Sequence, residues 1–261
     1  MWVKALAAVA ALYALSACGP NTKGLEKGET GKVVSVIDGD TLTLESGAKV
    51  QLTGILAPRR AFRDRPAEPL ADESRLALEK MALGRTVLLA YGGEKKLGED
   101  LMLAQVFVQT EGGRWIWAQQ AMLREGMARA RTWKTNHARA GDLFAAEAQA
   151  RKAKIGLWKE KAYAVRAAGT VAAGERGYQT VEGVVRAVDS SENGRTYLNF
   201  GDDYRTDFTV RVNGKDLDAW TPEDPALTAL KGKRVRVRGF VHDSGGPMID
   251  IDHPQAIEIV S

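Results

Sequence analysis

Residues 32–58, KVVSVIDGDTLTLESGAKVQLTGILAP, decide the fold of the first half of the chain. Within them, residues 33–37, 41–44 and 50–55 are short runs that are rich in β-branched residues or alternate between apolar and polar side chains. Asp-Gly and Ser-Gly pairs, which favour tight turns, separate these runs. The stretch therefore predicts three consecutive strands of an antiparallel meander.

The hydrophobic period becomes helical beyond residue 66. Leucine and methionine recur at helical spacing as far as residue 83, and Glu68, Asp72 and Glu73 occupy the first turns, where the helix dipole favours acidic groups. The remaining predicted elements of this half are strands over 86–91 and 103–108 and helices over 117–127 and 139–154. Five strands with a helix between the third and the fourth are typical of an OB barrel. The predicted fold class is therefore β-rich α+β, with a five-stranded OB-fold barrel and three helices over residues 31–160.

A second, smaller β domain is predicted over residues 178–261. It follows a segment, 161–177, that is rich in Ala and Gly and lacks an apolar period, as is typical of a domain linker. The predicted strands are 179–188, 196–200, 207–212, 234–241, 248–251 and 256–260, with a helix between the third and the fourth. This order again favours a small OB-like β-barrel.

Charge divides the chain into two unlike halves, although its 261 residues carry a formal net charge of only +4. Residues 31–160 contain 21 Lys and Arg against 16 Asp and Glu, whereas residues 178–261 contain 10 against 14. An anionic partner such as nucleic acid would therefore be attracted to the first domain and repelled by the second.

The N-terminal residues resemble a lipoprotein signal. The apolar run 5–17 is of signal-peptide length and too short to cross a hydrocarbon core of about 30 Å as a helix. It ends in Leu15-Ser16-Ala17-Cys18, which is similar to a bacterial lipobox, and Cys18 is the one cysteine of the sequence. A single cysteine excludes an intramolecular disulfide.

The lipobox resemblance implies a signal peptide over 1–17 and a lipidated, flexible tether over 18–30. Acylation of Cys18 would anchor the chain in a lipid bilayer, since each buried methylene contributes about 0.8 kcal/mol. The implied location is the bacterial cell envelope on the extracytoplasmic side, at the inner or the outer membrane. The alternative is a plain secretory signal that is cleaved at the small residues.

Several short motifs of the first domain together resemble one known family. They are, in chain order, Asp38-Gly39-Asp40-Thr41, Leu52-Thr53-Gly54-Ile55 with Ala57-Pro58, Leu103-Ala104, Glu125-Gly126-Met127-Ala128, Glu147-Ala148-Gln149-Ala150 and Gly156-Leu157-Trp158. No single motif is diagnostic, but their order and spacing are similar to those of the staphylococcal nuclease (thermonuclease, SNase) family. The resemblance covers about residues 31–160.

The resemblance also implies a set of active-site positions, most of which are substituted here. The family holds calcium with carboxylates, places two arginines on the phosphodiester and uses a carboxylate as the general base. Asp40 stands at one calcium position, but Leu56 replaces the other ligand and Arg59 the general base. Gln51 and Leu101 replace the two arginines. The resemblance therefore predicts a non-catalytic binding or scaffolding domain without a cofactor; the alternative is a calcium-dependent nuclease with a rearranged site.

Four arginines follow the substituted segment. Arg59, Arg60, Arg63 and Arg65 are candidates for binding phosphate, another polyanion or the acidic face of an envelope protein. The alternative interpretation is a solvated loop. Capture of nucleic acid without cleavage is a third functional hypothesis, which predicts an affinity that falls steeply with salt.

Two further interpretations concern single turns. The Asp38-Gly39-Asp40 motif is also explained as a tight turn, because Asp-Gly tolerates a positive φ. The three histidines, His137, His242 and His253, fall in different predicted turns without partner cysteines, which argues against a zinc site.

Aromatic side chains are concentrated in the second and third strands of the predicted second domain. Tyr197, Phe200, Tyr204 and Phe208 surround Asp202-Asp203. Because the domain is acidic, core packing or contact with a protein is the favoured interpretation and nucleic-acid binding is not.

Overall fold

The computed structural model describes residues 19–260. The predicted signal peptide over 1–17 and the predicted acylation site Cys18 lie outside these residues. Within 19–260, no helix has both the length and the apolar character needed to cross a membrane.

The first domain is β-rich, with three short helices. Its elements are β1 (Glu26–Asp38), β2 (Thr41–Leu44), β3 (Lys49–Leu52), β4 (Ile55–Leu56), α1 (Ala71–Ala82), β5 (Thr86–Tyr91), β6 (Lys96–Leu97), β7 (Leu101–Gln109), β8 (Trp115–Trp117), α2 (Ala118–Arg124), β9 (Arg129–Ala130) and α3 (Ala140–Ala153). The predicted helix over 66–83 begins only at Ala71, because Leu70 takes a positive φ of 61° that is incompatible with a helical turn.

The strands of this domain close on themselves. β1 pairs antiparallel with β2 and with β5, β2 pairs with β3, and β5 pairs with β7. β3 and β7 then pair in parallel, which completes a ring of five strands. The core inside it includes the fully buried side chains of Leu42, Leu52, Leu78 and Leu89.

β1 begins earlier than predicted. Residues 26–30, which we expected to belong to a flexible tether, pair with β5 in a register that places Glu26 opposite Tyr91. These residues are mostly exposed, so the strand has no apolar alternation that the sequence could display. The close packing of Gly28 against the Tyr91 ring identifies this segment as part of the fold.

The second domain repeats the same order of strand pairing. Its elements, with the segment before it, are η1 (Gly156–Lys159), η2 (Lys161–Tyr163), β10 (Arg166–Ala167), η3 (Ala168–Thr170), β11 (Gly177–Val184), β12 (Ala187–Ser190), β13 (Thr196–Asn199), β14 (Thr209–Val212), η4 (Gly214–Ala219), η5 (Leu227–Leu230), β15 (Arg234–Asp243), β16 (Pro247–Ile251), η6 (Pro254–Ala256) and β17 (Ile257–Ile259), where η denotes a 3₁₀ helix. Antiparallel pairs join β12 to β13, β13 to β14, β15 to β16 and β11 to β15, and β14 runs parallel to β16. The molecule therefore contains two curled sheets of like topology.

Three details of this domain differ from the prediction. The predicted strand over 179–188 is divided into β11 and β12, because Val185 still bonds to Lys233 beside β15 whereas the Arg186 amide donates to the carbonyl of Asn199 on β13. The helix expected between the third and the fourth strand is replaced by the short η4 and η5. The predicted linker is partly structured, because β10 pairs with β11 and the side chains of Ala168 and Val171 are buried in the second core.

A buried ion pair joins the two domains. Oε2 of Glu147 on α3 lies 2.7 Å from a guanidinium nitrogen of Arg238 on β15, and the two side chains are 0% and 2% exposed. Arg129 donates to the carbonyl of Tyr178 at 2.7 Å, and the Tyr178 hydroxyl donates to the carbonyl of Ala130 at 2.9 Å. The contact between the domains is therefore buried and polar, and the charges of Glu147 and Arg238 compensate each other.

Removing the charge of Glu147 should destabilise both domains together. In Glu147→Gln, Arg238 would keep only the partly exposed Glu258, 3.0 Å away, as a carboxylate partner. Removing one member of a buried ion pair typically costs about 3–5 kcal/mol. Urea denaturation followed by circular dichroism measures this loss. Glu26→Gln is a matched control, because the Lys95–Glu26 pair is also 2.7 Å long but its side chains are 50% and 64% exposed. We expect that control to lose less than about 1 kcal/mol, and an equal loss in the two variants would contradict the prediction.

Candidate functional site

The turn between β1 and β2 holds the one expected active-site residue that the sequence retains. Asp40 is 6% exposed. Its Oδ2 accepts a hydrogen bond from the amide of Ala57 at 2.8 Å, and its Oδ1 accepts one from the Thr41 hydroxyl at 3.2 Å. The carboxyl group thus ties the turn to the segment that follows β4.

Gly39 in this turn is required for packing. Fourteen other glycines of the described residues have a positive φ, but Gly39 does not. The prediction that this Asp-Gly pair is explained by its tolerance of a positive φ is therefore wrong. A Cβ at this position would collide with the side chains of Ser74 and Ala57. The motif is a two-residue hairpin, as the turn interpretation expects, and it lies tightly against α1.

Burial changes the ionisation of Asp40. Loss of solvent raises the pKa of this carboxyl to about 8, and the neighbouring carboxylate of Asp38 adds to the effect. The hydrogen bond from Ala57 acts in the opposite direction but does not outweigh burial. At neutral pH the group is therefore predominantly protonated and uncharged.

The other four expected positions lie in the same region but supply no matching charges. Gln51 on β3 pairs with Thr41 of β2, next to Asp40. Leu56 on β4 pairs with Arg129 of β9, and Leu101 at the start of β7 pairs with Lys49 of β3. The register therefore places Gln51 and Leu101 on the adjacent strands β3 and β7, whereas Leu56 belongs to the separate β4–β9 pair. The three positions present an amide and two aliphatic side chains.

Arg59, at the position expected for a general base, is engaged by a carboxylate. Its Nε and Nη2 donate to Oε1 of Glu68 at 3.2 and 2.9 Å, and its backbone amide donates to Oε2 at 2.9 Å. The sequence assigned Glu68 to the first turn of the helix, whereas it lies before α1 and holds the loop together. The pairing spans nine residues of irregular chain, so no periodicity could have revealed it.

The remaining arginines of the cluster are less concentrated than the sequence suggests. Arg60 lies 3.0 Å from Asp72, and the Arg63 guanidinium lies over the Phe62 ring at 5.2 Å. Arg65 belongs to the same exposed tip, whose backbone bonds with Phe62 close the loop. Two of the four positive charges are thus paired, which weakens the anion-binding interpretation and favours the solvated loop.

Arg131 is a charged residue of this region that sequence reasoning missed. Burial lowers the pKa of its guanidinium, and the charges of Asp40 and Arg59 both act on it. The guanidinium lies 5.1 Å from the ring centres of Trp133 and of Phe240, which belongs to the second domain. In the sequence, only the alternation of arginine and small residues after Gly126 indicated that Arg131 lies on a strand.

A cleft of about 660 Å³ lies between the domains, beside Arg131. His253, at its edge, is 4% exposed, and its Nε2 lies 2.7 Å from the Thr132 hydroxyl, while its Nδ1 lies 2.5 Å from Asp252. The rings of His137 and His253 stack at 6.1 Å, although the sequence placed them in separate turns. In the part of the chain that the structure describes, no group of three or more His, Cys, Asp or Glu residues is arranged to hold a metal ion.

The fold and this site define a two-domain β protein whose first domain holds a buried aspartate, Asp40, at the turn between β1 and β2. Residues 49–160 match the model of the staphylococcal nuclease homologue family. A thermonuclease from Staphylococcus hyicus is 27% identical over 133 residues, which cover 50% of this chain and 76% of that protein. Residues 49–160 therefore form an SNase-like domain, as the motifs predicted.

Replacing Asp40 by its neutral isostere should remove a pH-dependent loss of stability. An unfolded aspartate has a pKa near 4, whereas that of folded Asp40 is about 8. As the pH rises through this window, the unfolded chain releases a proton that the folded protein retains, so the wild type loses stability. Asp40→Asn cannot ionise and should become progressively more stable than the wild type between about pH 5 and about pH 8. Urea denaturation at both pH values measures the difference.

Asp38→Asn is the matched control for this experiment. It removes the neighbouring carboxylate that helps to raise the pKa of Asp40. In Asp38→Asn, the loss of stability with rising pH should therefore end at a lower pH than in the wild type. An Asp40→Asn protein that is less stable than the wild type at about pH 8 would instead indicate a charged, stabilised carboxylate.

Proposed function

We propose that this chain is a membrane-tethered envelope protein whose SNase-like domain is a non-catalytic binding or scaffolding module. In this proposal the first domain is a five-stranded OB-fold barrel with three helices, and the second is a smaller barrel of the same type. The single observation that carries the proposal is the burial of Asp40, whose Oδ2 accepts a hydrogen bond from the Ala57 amide. This burial raises the pKa of the carboxyl group and disfavours the charged form that a metal ion needs.

A calcium ion does not fit the residues that are present. Calcium prefers six to eight oxygen ligands and favours charged carboxylates. Here one carboxyl group already accepts a backbone and a hydroxyl hydrogen bond, and Leu56 has no ligand atom. The guanidinium of Arg59 would also repel a cation. We therefore propose that the domain works without a metal.

The site also lacks the charged groups and the general base that phosphodiester hydrolysis requires. Gln51 and Leu101 provide no positive charge for the developing negative charge of a transition state, and the loss of one such donor typically reduces the rate by about 10²–10³-fold. Arg59 cannot act as a general base, since its guanidinium remains protonated in proteins. Hydrolysis by the family mechanism is thus disfavoured at four separate positions.

The contacts of β9 with the second domain support a structural role for this strand, which pairs with β4. Arg129 on β9, opposite Leu56, lies 4.9 Å from the ring centre of Tyr163 and 5.1 Å from that of Tyr178. The segment from residue 159 to Tyr178 therefore covers one side of the region in which the active-site positions lie. This supports binding or scaffolding in preference to turnover.

The alternative is a calcium-dependent nuclease with a rearranged site, acting on DNA or RNA. Arg131 favours it, because this guanidinium interacts with the Asp40 carboxyl group when that group is ionised and could replace one of the missing arginines. The relative named thermonuclease also belongs to this functional class.

A nuclease assay separates the two proposals. Residues 19–261 are incubated with single-stranded DNA and calcium, and product formation is followed on a denaturing gel beside a thermonuclease digest. We expect no cleavage above that of Asp40→Ala, because the site lacks its charges. Cleavage that is present in the wild type and lost both in Asp40→Ala and in Arg131→Gln would establish the rearranged nuclease. DNA that is retained uncleaved, with an affinity that falls steeply with salt, would support nucleic-acid capture instead.

We further propose that acylated Cys18 anchors the protein on the extracytoplasmic side of a bacterial membrane, where an envelope protein or a polyanion is its partner. Expression of the full chain in a bacterial host should give a mature protein with the mass of a lipidated Cys18 in the membrane fraction. Cys18→Ala should be unlipidated and absent from that fraction. A mature mass without lipid, beginning at another small residue, would indicate a plain secretory signal.

A further inference from the structure

The second domain has an open groove on the side of its sheet that faces away from the core. Its volume is about 460 Å³, within the usual range for small-molecule sites. The floor is formed by side chains of β13, β14 and β16, and the walls by the loops after β12 and β15. If β11 and β12 are counted as one interrupted first strand, β13 and β14 are the second and third strands, whose face carries ligands in OB-type barrels.

The four aromatic residues of β13 and of the loop between β13 and β14 divide between the core and the groove. Phe200 and Phe208 are buried, with ring centres 5.1 Å apart, as core packing requires. Tyr197 and Tyr204 line the groove instead, and Tyr204 is 60% exposed. Two tyrosines at an open groove provide flat apolar surfaces together with hydroxyl groups.

The polar side chains of the groove are held in fixed positions. Asn199 Nδ2 donates to Oδ2 of Asp189 at 2.7 Å, and its Oδ1 accepts from the hydroxyl of Thr209 at 3.2 Å. These two bonds fix the orientation of the amide. They leave the second carboxylate oxygen of Asp189, the second Nδ2 hydrogen of Asn199 and the hydroxyl of Tyr204 as groups that can bond a ligand.

The groove carries no uncompensated positive charge. Arg211, its one cationic residue, donates to the two carboxylate oxygens of Asp250 at 2.6 and 2.8 Å. Asp189 adds a negative charge in a domain that has 10 Lys and Arg against 14 Asp and Glu over residues 178–261. A phosphate-bearing ligand such as DNA would therefore be repelled.

Two other ligand classes also fit poorly. An extended peptide that adds to a sheet needs free backbone groups, but β13 and β14 are both paired on each side. A purely apolar ligand would leave the fixed polar groups without partners, because Met248 is the only aliphatic side chain among the lining residues. The ligand class that fits the groove is therefore a neutral one with many hydroxyl groups and flat apolar faces.

We propose that this groove binds a neutral oligosaccharide. The tyrosine rings pack against the apolar faces of the sugar rings, and Asp189 and Asn199 bond their hydroxyl groups. The site belongs to the second domain alone, so it is independent of whether the first domain cleaves nucleic acid.

Calorimetric titration of residues 19–261 with maltotetraose, cellotetraose and chitotetraose tests the proposal. At least one sugar should bind, and Tyr204→Ala should weaken that binding by about tenfold, a factor that corresponds to about 1.4 kcal/mol. Asp189→Ala should weaken it as well. Phe62→Ala is the matched control, since this aromatic residue of the first domain is also 60% exposed, and it should leave the affinity unchanged.

Amide chemical shifts of the isotope-labelled protein give a second measurement that does not depend on variants. Added sugar should shift signals of β13 and β14 and not those of the first domain. The proposal is overturned if none of the three sugars binds, or if the bound sugar is insensitive to Tyr204→Ala and Asp189→Ala. Displacement of the sugar by a short thymidine oligonucleotide at low salt would assign the groove to nucleic acid and would also overturn it.

Discussion

The buried carboxylate of Glu147 is the interaction on which the arrangement of both domains depends. Burial alone would raise the pKa of this group, but Arg238 and the hydrogen bonds outweigh it, so the pKa is lowered. Oε1 accepts from the amide of Ala130 at 2.9 Å, and Oε2 accepts from Arg151 and Arg238 at 3.1 and 2.7 Å. A charge inside a protein is tolerated only when it is compensated in this way. Because Ala130 pairs with Ile55 on β4, one side chain fixes both the segment beside the candidate site and the position of the second domain.

This arrangement makes β9 part of the boundary between the domains. Arg129 is buried and bonded to the Tyr178 carbonyl, and Arg131 lies between aromatic rings of both domains. Guanidinium groups suit such positions because they are planar, stack on rings and donate in several directions. The cations Arg129 and Arg131, on and next to the strand that pairs with β4, are therefore used to hold the domains together.

Local sequence patterns were sufficient to predict some strands and helices. The other features depend on contacts between residues that are distant in the sequence. The β-branched run over 86–91 coincides with the observed β5, because it is a buried strand with clear boundaries. The polar start of β1 at Glu26 was missed, since a largely exposed strand has no apolar period. The pairs Arg59–Glu68 and Glu147–Arg238 span nine and 91 residues, and nothing in local sequence encodes them. The substitutions at Gln51 and Leu101 were visible in the sequence, but the neutral state of Asp40 became apparent only with its burial.

The retention of Asp40 has an explanation that does not require catalysis. Its carboxyl group bonds the amide of Ala57 across a turn in which Gly39 packs against Ser74, and the Ser74 hydroxyl in turn donates to the Met127 carbonyl at 2.7 Å. Each of these contacts joins a different part of the first domain to the turn. An alanine at position 40 would leave the buried amide of Ala57 without an acceptor, which typically costs about 1–3 kcal/mol. The contacts of Asp40 within the fold are therefore sufficient to explain an aspartate at this position without a catalytic role.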